Sequence, residues 1–185
     1  MRIFGIDPGS LRTGYGVVES DGRRHRLVVC GSFAPPRGAA FPEKLGAIHA
    51  ALDALLTKYR PDCVAVEDVF HARNVRSALL LGHARGVALL AATQAGVPVI
   101  SYTPAEIKRA VVGYGRAEKH QVQGMVKLLL GLAAAPSPHD AADALAVAIC
   151  HLHSRSPVPA ARVPAPGPRA VRSWRQYRPA ARAKA

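Results

Sequence analysis

Acidic residues are scarce in this chain of 185 residues. Only 12 Asp and Glu stand against 25 Lys and Arg, which gives a formal net charge of +13. The imbalance is steepest at the C-terminus, where residues 155–185 contain eight basic residues and no acidic one. Residues 1–154 carry the other 17 basic residues and all 12 acids. A basic balance of this kind favours polyanionic partners, either nucleic acid or an acidic membrane surface.

Cysteine is also rare, with three widely spaced residues and no Cys-x-x-Cys pair. That pattern argues against a disulfide framework or a zinc site and is typical of a reducing compartment. The N-terminus meets charges at Arg2 and Asp7, so it does not resemble a secretory signal. The most apolar stretch, 86–100, is too short to span a bilayer. We therefore expect a soluble, cytoplasmic protein with no membrane partner.

The hydrophobic pattern predicts alternating strands and helices. Apolar runs that end in turn residues predict strands over 2–7, 14–19, 26–33, 63–67 and 97–102. Apolar residues spaced three or four apart predict helices over 42–59, 77–95, 104–111, 117–132 and 139–153. This order predicts an α/β fold, with a mixed five-stranded sheet and helices on both faces. Residues 155–185 lack apolar periodicity and are predicted to form a disordered basic tail beyond a folded domain, 1–154.

Because acids are few, their positions are informative. Asp7 and Glu67 end two predicted strands, and would face each other across one strand spacing if those strands are parallel neighbours. Asp140 and Asp143 lie three apart at the start of an apolar helix, which puts them on one face. Ordinary explanations stay open: a turn former at Asp7, a helix N-terminal charge at Asp140, and a structural ion pair at Asp143 or Glu67.

Carboxylates brought together repel one another unless cations bind between them. Their hard oxygen atoms suit Mg²⁺ or Mn²⁺. Two such ions, roughly 3.5–4 Å apart, can activate a water and stabilise the leaving oxygen during phosphodiester cleavage. This chemistry fits a basic protein with an acidic pocket, since the basic surface holds the polyanion while metals neutralise the carboxylates.

Five segments, in register between residues 2 and 153, resemble the RuvC family of Holliday-junction resolvases. They are Gly5–Ser10 with Thr13–Gly16, Val66–Phe70, Ser77–Gly86, Val111–Lys119 and Asp140–Ala146. One such segment would be weak, because Asp-Pro-Gly-Ser alone is common turn chemistry, but five in order are specific. The resemblance implies a ribonuclease-H-like fold, a homodimer, and paired metal-dependent nicks in opposite strands of a four-way DNA junction. It also implies 5′-phosphate and 3′-hydroxyl products and a branch-migration motor complex as partner.

The resemblance also assigns roles to the carboxylates and to two lysines. Four side chains would bind two Mg²⁺ or Mn²⁺ ions: Asp7, Glu67, Asp140 and Asp143. Asp7 would bridge both ions. The family sometimes has His in place of the first Asp of the last helix, so His139 remains an alternative to Asp140. Lys119 is a candidate for contacting the scissile phosphate, and Lys108 is a second; an ordinary solvated helix face is the alternative for both.

The loop after the predicted strand 63–67 carries the remaining DNA-binding candidates. By resemblance, Phe70 would stack on a base unpaired near the crossover, or else would simply anchor its loop. Arg73 and Arg76 would contact phosphates or support that loop, and Arg85 would be equally suited to a structural role. The helix 77–95 is apolar almost all round after Gly86, so we expect it to be buried. It is a candidate for part of the dimer interface, and burial against the sheet is the alternative.

Two other functions share part of this pattern. ATP-binding phosphotransferases of the actin, sugar-kinase and heat-shock type have a similar first turn, here Gly5-x-Asp7-x-Gly9. Such proteins need two such domains, and this chain is about half the necessary length. A non-catalytic junction-binding module is the other alternative, but negative charge in a DNA-binding groove weakens binding. Metal-dependent cleavage of a synthetic junction would distinguish all three.

Overall fold

The structure, a computed structural model, describes residues 1–68 and 74–154. The predicted order of strands and helices is confirmed within these residues. The strands are β1 Arg2–Asp7, β2 Thr13–Ser20, β3 His25–Phe33, β4 Cys63–Glu67 and β5 Val99–Tyr102. The helices are α1 Phe41–Tyr59, α2 Val75–Gln94, α3 Pro104–Val112, α4 Lys119–Leu129 and α5 His139–His153. The predicted tail, 155–185, lies outside the described residues.

Helices α2 and α4 begin two residues away from their predicted starts because of their caps, and α1 begins one residue before its predicted start. Helix α2 begins before Ser77, since the Asn74 side chain accepts a hydrogen bond from the Ser77 backbone N–H at 2.8 Å. Helix α4 begins after the predicted start, since Glu118 takes the cap position and its N–H donates to Gln121 Oε1 at 2.8 Å. Lys119 therefore lies in the first turn of α4.

The sheet has the order β3-β2-β1-β4-β5 and is mixed, as predicted. β1 pairs antiparallel with β2 and parallel with β4, where Ile6 lies opposite Val66. The next residues on these two strands are Asp7 and Glu67. Their side chains therefore lie on one face of the sheet, at the ends of adjacent strands whose backbones are about 4.8 Å apart.

Side chains alternate between two apolar layers. Ile3 packs on the face that α3, α4 and α5 cover, whereas Phe4 and Ile6 pack with α1 and α2 on the opposite face. Helices thus lie on both faces of the sheet, as predicted. Because strand residues alternate in direction, Asp7 projects toward the α5 face.

Two glycines set how closely α5 approaches the sheet. A Cβ atom on Gly5 would lie 2.0 Å from the Ala144 carbonyl oxygen, and one on Gly14 would lie 2.0 Å from the Asp140 carbonyl oxygen. Any side chain at either position would push the helix away. The absence of side chains there lets the N-terminal end of α5 lie at the carboxyl end of β1.

The expectation that α2 is buried is wrong. Its buried side chains are four alanines, Ala84, Ala88, Ala91 and Ala92. The opposite face is open, with Leu79 59% and Leu90 50% exposed. The reason is that only one face of α2 meets the sheet and α1, while the apolar residues run around the whole helix.

Helix α2 is also long and apolar enough to cross a membrane, with 20 residues and a mean hydropathy of 1.3 over its most apolar window. Two further observations favour a helix of the folded domain. Its alanine face packs into the same core as β1 and β4. Arg85, in its middle, is ion-paired with Asp68 at 3.2 Å.

A histidine pair joins β3 to the end of α5. His25 Nε2 lies 3.2 Å from His153 Nε2, and His153 Nδ1 donates to the Ala110 carbonyl oxygen at 2.9 Å. Because a carbonyl can only accept, neutral His153 carries its proton on Nδ1, and its Nε2 accepts from His25. Burial, followed by repulsion from His153, lowers the pKa of His25. Burial also lowers the pKa of His151.

We expect these two histidines to stabilise the fold less as the pH falls below about 6.5, the ordinary histidine pKa. A lowered pKa means that the folded state binds fewer protons than the unfolded chain. The stabilisation is therefore full above that value and is lost as the pH falls toward the folded-state pKa of His25 and His151. Asp7 acts in the opposite direction, because its raised pKa makes the fold more stable as the pH falls. The histidine contribution is therefore measured with a histidine variant, as the change in Tm between pH 7.5 and 5.5 compared with the same change in wild type.

His25→Gln should reduce this acid sensitivity, because it removes one of the groups with a lowered pKa. His120→Gln is the matched control, since His120 is an exposed histidine on α4. Equal acid sensitivity in wild type and His25→Gln would contradict the role of the pair.

Candidate active site

A pocket of about 260 Å³ opens at the carboxyl ends of β1 and β4. Its lining combines carboxylates, lysines and an apolar wall from the helices. These residues are Asp7, Glu67, Pro104, Ile107, Lys108, Lys119, Val122, Asp143 and Ala146. Five of the sequence-predicted site residues therefore lie in one cavity.

Asp7 and Glu67 form the acidic centre of this pocket. Burial, together with repulsion from Glu67 and Asp143, raises the pKa of Asp7 to about 8. Burial also raises the pKa of Glu67, and Asp143 adds to the effect. The two carboxyl groups share a hydrogen bond, which requires a proton on one of them. In the described residues, no lysine or arginine forms an ion pair with either carboxylate.

Asp143 completes the pocket from the α5 side and is paired with a lysine. Lys119 Nζ lies 3.2 Å from Asp143 Oδ2. The Asp143 side chain is 20% exposed, whereas that of Lys119 is 77% exposed. The negative charge of Asp143 raises the pKa of Lys119 and keeps it cationic. Lys119 thus stands at the rim, with its charge near the acidic centre and most of its surface open.

Asp140 lies beside the pocket and does not line it. Three residues along a helix correspond to a 300° rotation, so the side chains of Asp140 and Asp143 diverge by about 60°. Asp140 Oδ2 is 3.7 Å from Arg12 Nε. Its charge still contributes to the raised pKa of Asp7. His139 is exposed and its Nδ1 contacts the Gln123 side chain.

The remaining predicted residues lie in four different situations. Lys108, on α3, lines the pocket, and its charge acts on Glu67. Arg76 is exposed in the first turn of α2. Arg85 pairs with Asp68 and also donates to Ser101 Oγ at 2.7 Å, an arrangement that links α2 to β4 and β5. Phe70 and Arg73 lie outside the described residues.

The carboxylates do not form a ready-made metal cage. Within 1–68 and 74–154, no three His, Cys, Asp or Glu side chains converge closely enough to hold one ion. Asp143 is paired with Lys119 at the rim, and Asp140 lies beside the pocket near Arg12. The donor set nevertheless fits a divalent cation. Asp7 and Glu67 form no ion pair with a lysine or arginine of the described residues, and their oxygens are hard ligands.

The sequence profile of the family "Crossover junction endodeoxyribonuclease RuvC" matches residues 3–151. A protein of that description from Chloroflexus aggregans is 53% identical over 147 residues, which cover 80% of this chain and 90% of the relative. One from Alkaliphilus oremlandii is 50% identical over the same shares of the two chains. The chain belongs to the RuvC family. Membership of this nuclease family implies the use of a divalent metal.

Solved structures agree with this assignment. The structure described as "T. thermophilus RuvC in complex with Holliday junction substrate" is 41% identical, with a TM-score of 0.79, and the match covers 83% of this chain and 94% of that one. The yeast mitochondrial Holliday junction resolvase shares the fold, with a TM-score of 0.61 at 14% identity. The ribonuclease-H-like fold is therefore confirmed for this chain.

Proposed function

We propose that this protein is a structure-specific endonuclease that resolves four-way DNA junctions in recombination and repair. It makes paired, symmetric nicks that leave 5′-phosphate and 3′-hydroxyl ends. The observation that carries the proposal is the pair Asp7 and Glu67, side by side in a pocket rimmed by Lys108 and Lys119, in a chain of the RuvC family. Such a pocket is costly for a protein that only binds DNA, because its carboxylates repel phosphate.

Four carboxylates would hold two Mg²⁺ or Mn²⁺ ions: Asp7, Glu67, Asp140 and Asp143. Bound ions supply the activation of a water and the neutralisation of the leaving oxygen. Asp7 has the central place, because its raised pKa reflects all three of the other carboxylates. Its proton must leave when a cation binds, so metal binding is expected to tighten as the pH rises toward 8.

Lys119 is the residue that we propose holds the scissile phosphate. Its ammonium group stands at the mouth of the pocket, 3.2 Å from Asp143, and most of its side chain is exposed. A phosphate there would be held next to the carboxylates that bind the ions. Lys108 lines the same pocket from α3 and adds a second positive charge.

Further residues would hold the DNA arms. We propose that Phe70 stacks on an unpaired base, worth about 1–3 kcal/mol, while Arg73 and Arg76 contact phosphates. The tail 155–185, with eight basic residues and no acid, would add contacts that do not depend on sequence. A branch-migration motor complex would be a partner, and the cytoplasm the location.

We propose that the protein acts as a homodimer through the open face of α2. Exposed residues spaced three or four apart form one stripe along the helix, with Gly82 beside it: Leu79, His83, Gly86 and Leu90. A Cβ on Gly82 or Gly86 would meet no atom within 4 Å, so this face is flat and open. A twofold axis through the stripe would place two sites for two symmetric nicks.

A synthetic four-way junction with each strand labelled in turn tests the proposal. We expect cleavage that requires Mg²⁺ or Mn²⁺ and gives equal nicks in two opposite strands. A duplex of the same sequence is the control, and it should remain intact. Junction binding without cleavage at any metal concentration would favour the non-catalytic module, and equal cleavage of the duplex would contradict the junction specificity.

A further inference from the structure

Arg12 lies in the turn between β1 and β2, directly after the segment that carries Asp7. Its Nε is 3.7 Å from Asp140 Oδ2, and its Nη1 donates to Ser32 Oγ on β3 at 2.8 Å. The guanidinium group of Arg12 therefore lies between β3 and the first turn of α5. No pattern in the sequence singles this residue out, because a lone arginine in a turn is ordinary.

The backbone of this turn is rigid. Thr13 is fully buried, and its Oγ1 donates to the Gly9 carbonyl oxygen at 3.0 Å. A Cβ on Gly9 would lie 2.1 Å from the Arg12 carbonyl oxygen, so the close approach requires glycine. The Arg12 backbone is thus fixed relative to Asp7, and the freedom of the residue lies in its side chain.

The Arg12 side chain is held only weakly by Asp140. A separation of 3.7 Å is too long for a hydrogen bond, and the two side chains are 51% and 35% exposed. Water screens such a pair, so it contributes little. A DNA phosphate would offer the same guanidinium two short, charge-assisted hydrogen bonds. Of these two anions, the phosphate is therefore the stronger partner for Arg12.

We propose that Arg12 is a positioning residue that holds Asp140 in the DNA-free protein and moves to a backbone phosphate when the junction binds. Asp140 is then free to complete the metal site. The inference rests on the proposed function, in which Asp140 is a metal ligand. It makes DNA binding and metal binding cooperative, and this coupling is reciprocal. Lys119 and Asp143 form a similar pair, in which an exposed cationic side chain lies against a carboxylate of the active site.

The test has two readouts that do not depend on cleavage. Mn²⁺ binding to the DNA-free protein, followed by electron paramagnetic resonance, should be about 5-fold tighter in Arg12→Gln than in wild type. Junction binding in EDTA should weaken in Arg12→Gln, and the slope of log K against log salt should fall by about one. Arg12→Lys, which keeps the charge, should restore wild-type Mn²⁺ affinity.

Arg26→Gln is the matched control. Arg26 lies on β3 at the opposite end from Ser32 and is paired with Glu19 of β2. Replacing Arg26 should therefore leave the Mn²⁺ affinity unchanged. Unchanged Mn²⁺ affinity or an unchanged salt slope in Arg12→Gln would overturn the inference. If Asp7→Asn still removes Mn²⁺ binding in that case, the proposed function stands; if wild type and Asp7→Asn bind Mn²⁺ equally, the proposed function itself fails.

Discussion

Asp7→Asn is expected to reduce junction cleavage by roughly 10³-fold or more, the scale of loss when a central catalytic group is removed. Junction affinity should stay equal or increase, because the substitution removes a negative charge beside bound phosphate. Cleavage assays with labelled strands and binding assays in EDTA measure the two effects separately. Replacing a metal ligand should abolish cleavage and keep binding, whereas replacing a residue that contacts DNA should weaken binding as well.

The same substitution is expected to stabilise the metal-free fold. The pKa of Asp7 is raised from 3.8 to about 8, so the folded state binds more protons than the unfolded chain between these values. Stability from this group is therefore present at low pH and is lost as the pH rises through that window. At pH 8.5 in EDTA, Asp7→Asn should unfold at a higher Tm than wild type, by the equivalent of more than ~1 kcal/mol. At pH 5 the difference should shrink.

Added Mn²⁺ should reverse the order at pH 8.5, because a ligand that binds only the folded state stabilises wild type. Asp53→Asn is the control, since Asp53 is exposed on α1. A metal-free Asp7→Asn protein that is less stable than wild type at pH 8.5 would show that Asp7 has a structural role. A loss of junction affinity in Asp7→Asn would also show that Asp7 has a structural role.

The acidic centre could be predicted because the ends of strands can be recognised in the sequence. Apolar runs that stop at Asp7 and Glu67, combined with parallel pairing, leave little freedom for where these carboxylates lie. The position of α5 was harder to predict. It depends on Gly5 and Gly14, whose role emerges only when the helix is seen to lie on them.

Two features could not be predicted from the pattern of residues in the sequence. The Arg12 contact with Asp140 joins a turn to a helix far along the chain, and neither spacing nor charge indicates which acid a turn arginine will meet. For α2, the apolar composition shows that the helix avoids water without showing what covers it. The sheet covers its alanines, and Leu79 and Leu90 remain exposed. The burial error therefore has a physical source, since apolar residues all round a helix do not show which of its faces meets the core.

Gly86→Glu is expected to convert the proposed dimer into a monomer without damaging the fold. A side chain at Gly86 meets no atom within 4 Å, so the isolated domain has room for it. Replacing a glycine inside a helix also favours the helix by about 0.5–1 kcal/mol. Two glutamates facing each other across a twofold axis would be desolvated and repel, a penalty of several kcal/mol. Sedimentation should show a monomer, and thermal unfolding should show an intact domain.

Gly124→Glu makes the comparison specific, because it places the same side chain at an exposed glycine inside α4, also with no atom within 4 Å. This control should remain a dimer. In the junction assay, the Gly86→Glu monomer should retain junction-dependent nicking but lose the pairing of the two nicks, since each monomer carries one pocket. A Gly86→Glu protein that is still dimeric would mean that the interface lies elsewhere. A monomeric wild type that makes paired nicks would contradict the homodimer itself, because two coordinated cuts would then need no second copy of the pocket.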